Sequence, residues 1–204
     1  MSAATAAAPA PAAPSTAAAA VVAEPDDERF ELLDEMGYPL GTTERRAVVH
    51  AKGLYHRAVY CFVRDARGRV LLQRRSAEKK VGPNQWDLSV AEHLSPGEGY
   101  VEAVLRGLQE ELGVTADQGA LRGPLNEPHV RHLANPEKGI FDNEYVQSFE
   151  LPGYEGPVDV NAEEVSEVRW VSLEQLQQEM EEQPQAFTVW LREELALVLP
   201  ALSA

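Results

Sequence analysis

Apolar positions recur at two different periods along this chain, and each change of period marks an element. Residues 29–33 alternate as a strand does, and Gly37, Pro39 and Gly41 follow as turn residues. Residues 56–64 are rich in Val, Tyr and Phe, residues 65–68 read as a turn, and residues 69–75 return as a second strand, which predicts a hairpin. Residues 76–85, with two lysines, Gly82 and Pro83, read as a loop, and residues 86–90 as a short strand. Between Gly97 and Gly113 the period lengthens, because Val101, Val104, Leu105, Leu108 and Leu112 recur at helical spacing. Strand patterns resume at residues 125–133, 144–151 and 165–171. Ser172-Leu173-Glu174-Gln175 is a capping box that opens a helix to about Glu182, and residues 185–199 form a last amphipathic helix. Strands, helix, strands, helices is the order of an α/β fold in which a mixed sheet lies between helices.

Composition narrows the boundaries. Residues 1–23 carry no charged side chain and consist almost wholly of Ala, Pro, Ser, Thr and Val, which offers nothing large to pack. A disordered tail over residues 1–28 and one domain over residues 29–204 are expected, and 44% apolar composition suits a single core of that size. A plastid transit peptide is the alternative for the tail. Such peptides usually carry Arg, and none precedes Arg29, so a cytoplasmic location is expected. No run of 18 strongly apolar residues exists to span a membrane. The net charge of -15 makes a nucleic-acid backbone a poor partner. A small polyanionic ligand would need metal ions on the carboxylates or the basic cluster Arg74, Arg75, Lys79 and Lys80. The single cysteine, Cys61, excludes an intrachain disulfide, and its apolar neighbours predict a buried thiol.

The chemistry concentrates between residues 92 and 114, where a Pro-Gly turn runs into the acidic helix. Two successive carboxylates, Glu110 and Glu111, with Glu98 folded back onto Arg106, form the kind of oxygen cluster that holds hard divalent cations and completes their coordination on phosphates. A second constellation comprises His50, His56 and His93 together with Asp142-Asn143-Glu144, where imidazole suits Zn, Mn or Fe more than Mg. His129 and His132 have no matching partner and are read as surface residues.

Written as Glu92-x5-Glu98-x7-Arg106-Gly107-Leu108-x-Glu110-Glu111-x-Gly113-Val114, the segment resembles the Nudix box and matches it at seven of nine fixed positions. The departures are Glu92 in place of the first Gly, and Gly107 in place of the Glu that follows Arg. Gly107 removes an expected metal ligand, and glycine costs roughly 1 kcal/mol relative to Ala inside a helix. From His56 to Gly113 the chain further resembles the isopentenyl-diphosphate isomerase branch of that superfamily, through Gln73-Arg74-Arg75, Lys79-Lys80, Trp86, His93, Gly97-Glu98, Arg106 and Glu111.

The resemblance implies a Nudix-type α/β/α sandwich. It implies catalytic roles for Glu111, Glu110 and Glu144, and metal binding by Glu110, Glu111, Glu98, His50, His56, His93 and Asp142. Substrate binding falls on Arg75, Lys79 and Trp86, with Mg or Mn as cofactor and Zn as a possibility at the histidines. Glu92 or Glu144 compensates for the carboxylate missing at Gly107. The branch's proton-transferring cysteine falls on Ala91, whose methyl group carries no proton. The expected function is therefore metal-dependent hydrolysis of a small nucleoside- or prenyl-type diphosphate. A non-catalytic diphosphate-binding module is the alternative, and isopentenyl-diphosphate isomerisation comes after both.

Overall fold

The computed structural model describes residues 28–203, so the expected tail lies, but for Glu28, outside the described residues. Nine strands and four α-helices follow in the order β1 (Arg29–Leu33), β2 (Pro39–Arg45), α1 (Arg46–Lys52), β3 (Tyr55–Val63), β4 (Val70–Arg75), β5 (Trp86–Asp87), β6 (Val90–His93), α2 (Tyr100–Leu112), β7 (His129–Asn135), β8 (Ile140–Leu151), β9 (Val165–Val171), α3 (Leu173–Glu182) and α4 (Val189–Leu202). A larger sheet runs β2-β1-β3-β8-β7 with β6 added beside β3, and a smaller one runs β5-β4-β9. The pairing of β3 with β8 is parallel and the others are antiparallel, so the larger sheet is mixed.

Strand β3 shows why the fold is a sandwich. Successive side chains of a strand point to opposite faces, and β3 is apolar on both. Ala58, Tyr60 and Phe62 enter one core with Trp190, Leu191 and Leu195 of α4 and Leu176 of α3. Val59, Cys61 and Val63 enter a second core against Val104, Leu108 and Leu112 of α2. The thiol of Cys61 is therefore buried, as expected.

The expected hairpin is corrected. The turn over residues 65–68 forms, with the Gly68 amide donating to the Asp65 carbonyl at 2.9 Å, but only one bridge, Arg64 with Val70, joins the two strands. Beyond it β3 enters the larger sheet and β4 the smaller one. β4 supplies Val70 and Leu72 to one core and Leu71 to the other, so burial on both faces, and not sequence adjacency, decides its partners. The strand expected over residues 86–90 is split into β5 and β6, which belong to different sheets.

β2 and α1 were not visible in the apolar pattern. β2 is exposed almost throughout, and α1 spans seven residues and buries only Val49. The box helix runs from Gly99 at its N-cap to Gly113, whose φ of 62° is the left-handed conformation that glycine tolerates at a helix end. The Ser172 hydroxyl caps α3 by accepting from the Gln175 amide at 3.1 Å, as the capping box predicts.

Candidate metal centre and substrate site

One face of the larger sheet carries a row of polar residues. In register, Arg131 of β7 lies beside Glu144 of β8, and Glu144 beside His56 of β3. One step along, Ala58 pairs with His93 of β6, and Asp142 lies two residues before Glu144 on the same face. α1 brings His50 over this row. The ligand atoms of His50, His56, His93 and Asp142 all lie within 4.8 Å of one another. Phe30 backs them, stacked on His56 with centroids 4.7 Å apart.

The donor set fits a divalent metal. His56 Nδ1 lies 3.1 Å from the Leu54 carbonyl, which can only accept, so the proton sits on Nδ1 and Nε2 keeps its lone pair. That nitrogen and His50 Nε2 approach Asp142 Oδ1 at 3.4 and 3.6 Å. All three atoms are buried and without a hydrogen-bond partner among the described residues. Buried polar atoms are nearly always satisfied, so three convergent orphans are the mark of an ion site. Burial, then the neighbouring His93, lowers His50 to about 2. Burial likewise lowers His93 to about 3 and lowers His56, so all three imidazoles are neutral and able to ligate at neutral pH. Burial and then Glu144 push Asp142 well above the usual carboxylate range. Glu144 goes the other way despite its burial, because Arg131 and then His93 hold it ionised. Its oxygens accept from His93 Nε2 and the Tyr60 hydroxyl, each at 3.1 Å, and from the Arg131 guanidinium.

The box residues divide differently from the expectation. Adjacent residues of a helix point about 100° apart, so Glu110 and Glu111 part company. Glu110 is 58% exposed on its side chain and pairs with Arg106 at 3.1 Å, whereas Glu111 is 7% exposed. Glu111 Oε2 accepts from Gln73 Nε2 at 2.5 Å, while Oε1 is buried without a hydrogen-bond partner among the described residues. Glu98 was expected both among the ligands and as a brace paired with Arg106; both its oxygens accept from Arg106, and Oε2 also accepts from the Ser95 amide at 2.7 Å. It braces the loop.

The two departures from the box occupy one space. A Cβ at Gly107 would lie 2.5 Å from Glu92 Cγ and from Val90 Cγ1, and the Glu92 carboxylate takes Arg106 Nη1 at 3.0 Å. Glu92 thus fills the volume that a side chain at 107 would need.

Burial and then Glu92 raise Glu111 to about 8. An unfolded glutamate titrates near 4.5, so the neutral form stabilises the metal-free fold below that value, and this contribution is lost as pH rises to about 8. Glu111→Gln fixes the neutral form. In EDTA, its stability relative to the parent is expected to rise by on the order of 1 kcal/mol per pH unit between pH 5 and 8 and then level off, as read by denaturant melts. A flat difference across that range removes Glu111 as the titrating group.

Of the expected substrate residues, Arg75 and Lys79 lie near enough to Glu111 for their charges to act on it. Arg75 Nη1 donates to Asp87 Oδ2 at 3.2 Å, and Lys79 pairs with Glu164. Burial and then Arg75 lower Lys79, so the two cations feel each other. Trp86 is displaced from the expected role, because the Arg169 guanidinium covers its ring at 4.3 Å. The tryptophan beside the site is Trp190, with Arg75 at 5.1 Å and Arg131 at 5.6 Å from its ring centre. The pattern of residues 125–133 predicted a strand but did not single out Arg131, a charge at a buried position of an otherwise alternating strand. Arg46, whose charge lowers His50, His56 and His93, was hidden by the unrecognised α1. Of the two histidines read as surface residues, His132 is exposed, while His129 is half-buried and pairs with the buried Glu194 at 3.1 Å.

Comparison with known proteins agrees with this geometry. The NUDIX domain model matches residues 54–191. An isopentenyl-diphosphate Delta-isomerase of Clavibacter sepedonicus is 36% identical over 177 residues, covering 87% of this chain and 90% of that protein. One of Paenarthrobacter aurescens is 36% identical over 80% of this chain and 86% of its own length. The fold matches the crystal structure of DR0079 from Deinococcus radiodurans with a TM-score of 0.63 at 24% identity, covering 84% of this chain and 99% of that one.

Proposed function

This chain belongs to the Nudix family, and from that membership and the geometry of its site we propose that it is a metal-dependent hydrolase of a small diphosphate. The observation that carries the reading is the set of convergent, unpartnered atoms on His50, His56 and Asp142. These residues and His93 would hold a divalent cation, Mn or Mg with Zn as a further candidate. When bound, the cation supplies Lewis acidity and lowers the pKa of water. Arg75 and Lys79 bind and orient the phosphates. In its ionised form Glu111, whose Oε1 is buried without a hydrogen-bond partner among the described residues, would accept the proton of the attacking water as that water's oxygen bonds to phosphorus and the bridging P–O bond to the leaving phosphate breaks. Arg106 keeps Glu92, Glu98 and Glu110 paired and so holds the loop in place.

A second reading, isomerisation of isopentenyl diphosphate, is favoured by the names of the relatives. It needs a group that carries a proton at residue 91. Ala91 pairs with Tyr60 and offers a methyl group on the site's face, while Cys61 lies on the opposite face with burial pushing its thiol up. Incubation of the full chain with Mn or Mg and a diphosphate panel, in D2O, separates the readings. Phosphate release without deuterium at the allylic carbon is the expected result. Deuterium incorporation replaces hydrolysis with isomerisation, and binding without either reaction makes the protein a non-catalytic diphosphate-binding module.

A further inference from the structure

Asp87, the second residue of β5, is a fully buried carboxylate outside the metal centre, and each of its oxygens meets two donors. Oδ1 accepts from the Leu88 amide and the Thr188 hydroxyl, both at 2.9 Å. Oδ2 accepts from the Trp190 indole Nε1 at 2.9 Å and from Arg75 Nη1 at 3.2 Å. The two oxygens therefore serve different ends. Thr188 caps α4 and its amide donates to the Trp86 carbonyl, so Oδ1 helps to fasten the start of that helix to β5. Oδ2 meets two side chains that border the site.

Fastening α4 does not by itself call for a charge. Desolvation cancels much of the attraction within a buried ion pair, and an apolar residue of similar volume often stabilises a fold as well. What the carboxylate adds is direction. Arg75 donates through Nη1 to Asp87 and through Nε to the Val81 carbonyl at 3.1 Å, and its guanidinium lies 5.1 Å from the centre of the Trp190 ring. The ring is itself held, because its Nε1 is bound to the same Oδ2. Carboxylate, carbonyl and ring thus fix the guanidinium plane, and the Nη2 edge is left to meet an anion. An arginine that waves in solvent gives up rotamer freedom when it binds, whereas one already pinned does not, so affinity rises without a new contact to the ligand.

We propose that Asp87 is a positioning residue for the diphosphate: through Oδ2 it holds Trp190 and Arg75 so that the guanidinium is set for phosphate before the ligand arrives. This deepens the proposed function and rests on it for the placement of phosphate at Arg75. Asp87 is buried and a carboxylate, so it acts through Arg75 and not by touching the ligand.

Binding of methylenediphosphonate, whose P–C–P bridge cannot be hydrolysed, to the Mn-loaded full chain reads the effect without depending on turnover. Asp87→Ala is expected to weaken it about 10-fold, the lower end of what loss of an outer partner costs a metal ligand. In an Arg75→Met background the same change is expected to alter binding by less than about twofold, because the group that Asp87 positions is gone. Thr188→Val, which removes a partner of Oδ1, is the control for α4, and it should lower the melting temperature while leaving affinity within about twofold of the parent. Asp87→Leu, of similar shape and without an acceptor, repeats the test should Asp87→Ala fail to fold. Equal weakening in both backgrounds, or a loss in Thr188→Val as large as in Asp87→Ala, assigns Asp87 to the anchoring of α4 and overturns the proposal. Unchanged affinity in Asp87→Ala, while Arg75→Met alone binds weakly, overturns the proposal and leaves phosphate at Arg75. An Arg75→Met variant that binds as the parent does overturns both.

Discussion

His56→Gln is expected to strip the protein of tightly held divalent metal and, with it, of turnover. His56 is fully buried, its Nδ1 is committed to the Leu54 carbonyl, and its Nε2 has no role other than to face the partners that converge on Asp142. Loss of even an outer partner of a metal ligand costs 10- to 100-fold in affinity, so loss of the ligand itself is expected to cost at least about 100-fold. Metal analysis after gel filtration and a titration with Mn read the effect. Because His56 also stacks on Phe30, the variant is less stable, and His93→Gln, at a half-buried position, repeats the test with less disturbance of the core. His132→Gln, exposed and bonded to Asn143, is the control and should change nothing. If both His56→Gln and His93→Gln retain metal as the parent does, the centre lies elsewhere.

Restoring the box at a single position is expected to harm the protein. Gly107→Glu places a Cβ 2.5 Å from Glu92 Cγ and Val90 Cγ1, and Val90 is fully buried between β3 and α2. Overpacking of this kind costs about 1–3 kcal/mol, against roughly 1 kcal/mol gained by removing a helical glycine. A net loss of up to about 2 kcal/mol, or a few degrees in Tm for a chain of this size, is the expected result. The double variant Glu92→Gly with Gly107→Glu removes one of the two clashes. It should recover more stability than the single changes predict, with a coupling of about 0.5–3 kcal/mol in a double-mutant cycle. Additive effects would show that the two departures are independent. Without that exchange, a gain in turnover from Gly107→Glu is not expected.

The elements that the sequence made legible are those with a strong period and a chemical stop. The box helix shows five apolar residues at helical spacing between two glycines, and the structure forms it from Tyr100 to Leu112. The capping box at Ser172 opens α3 where expected. Legibility failed where the burial pattern is not amphipathic. β2 is exposed along its length, and β4 is buried on both faces, so neither announces its partner. The site was legible as a set of residue types and not as a geometry. His50, His56, His93 and Asp142 converge as expected, but the direction of Glu110 follows from helix rotation, and the engagement of Glu98 by Arg106 follows from a loop that closes through the Ser95 amide. Arg131 and Trp190 become part of the site only through pairing between distant segments.

That distant pairing has a bearing on how the proposed metal would join the fold. The nine-residue parallel register between β3 and β8 sets His56 beside Glu144, and the other ligands come from β6, from β8 and from α1. Before this pairing forms, the ligands are separated by long stretches of chain whose closure entropy is unpaid. The unfolded chain therefore offers no comparable site, and an ion held by these residues would bind one end of the folding equilibrium. Its binding energy would be added to the stability of the fold, by about 2.7 kcal/mol when free metal stands at 100 times its dissociation constant. Scarcity of the ion would then thin the population of folded molecules as well as silence those that remain, so cellular abundance of the protein would track metal supply.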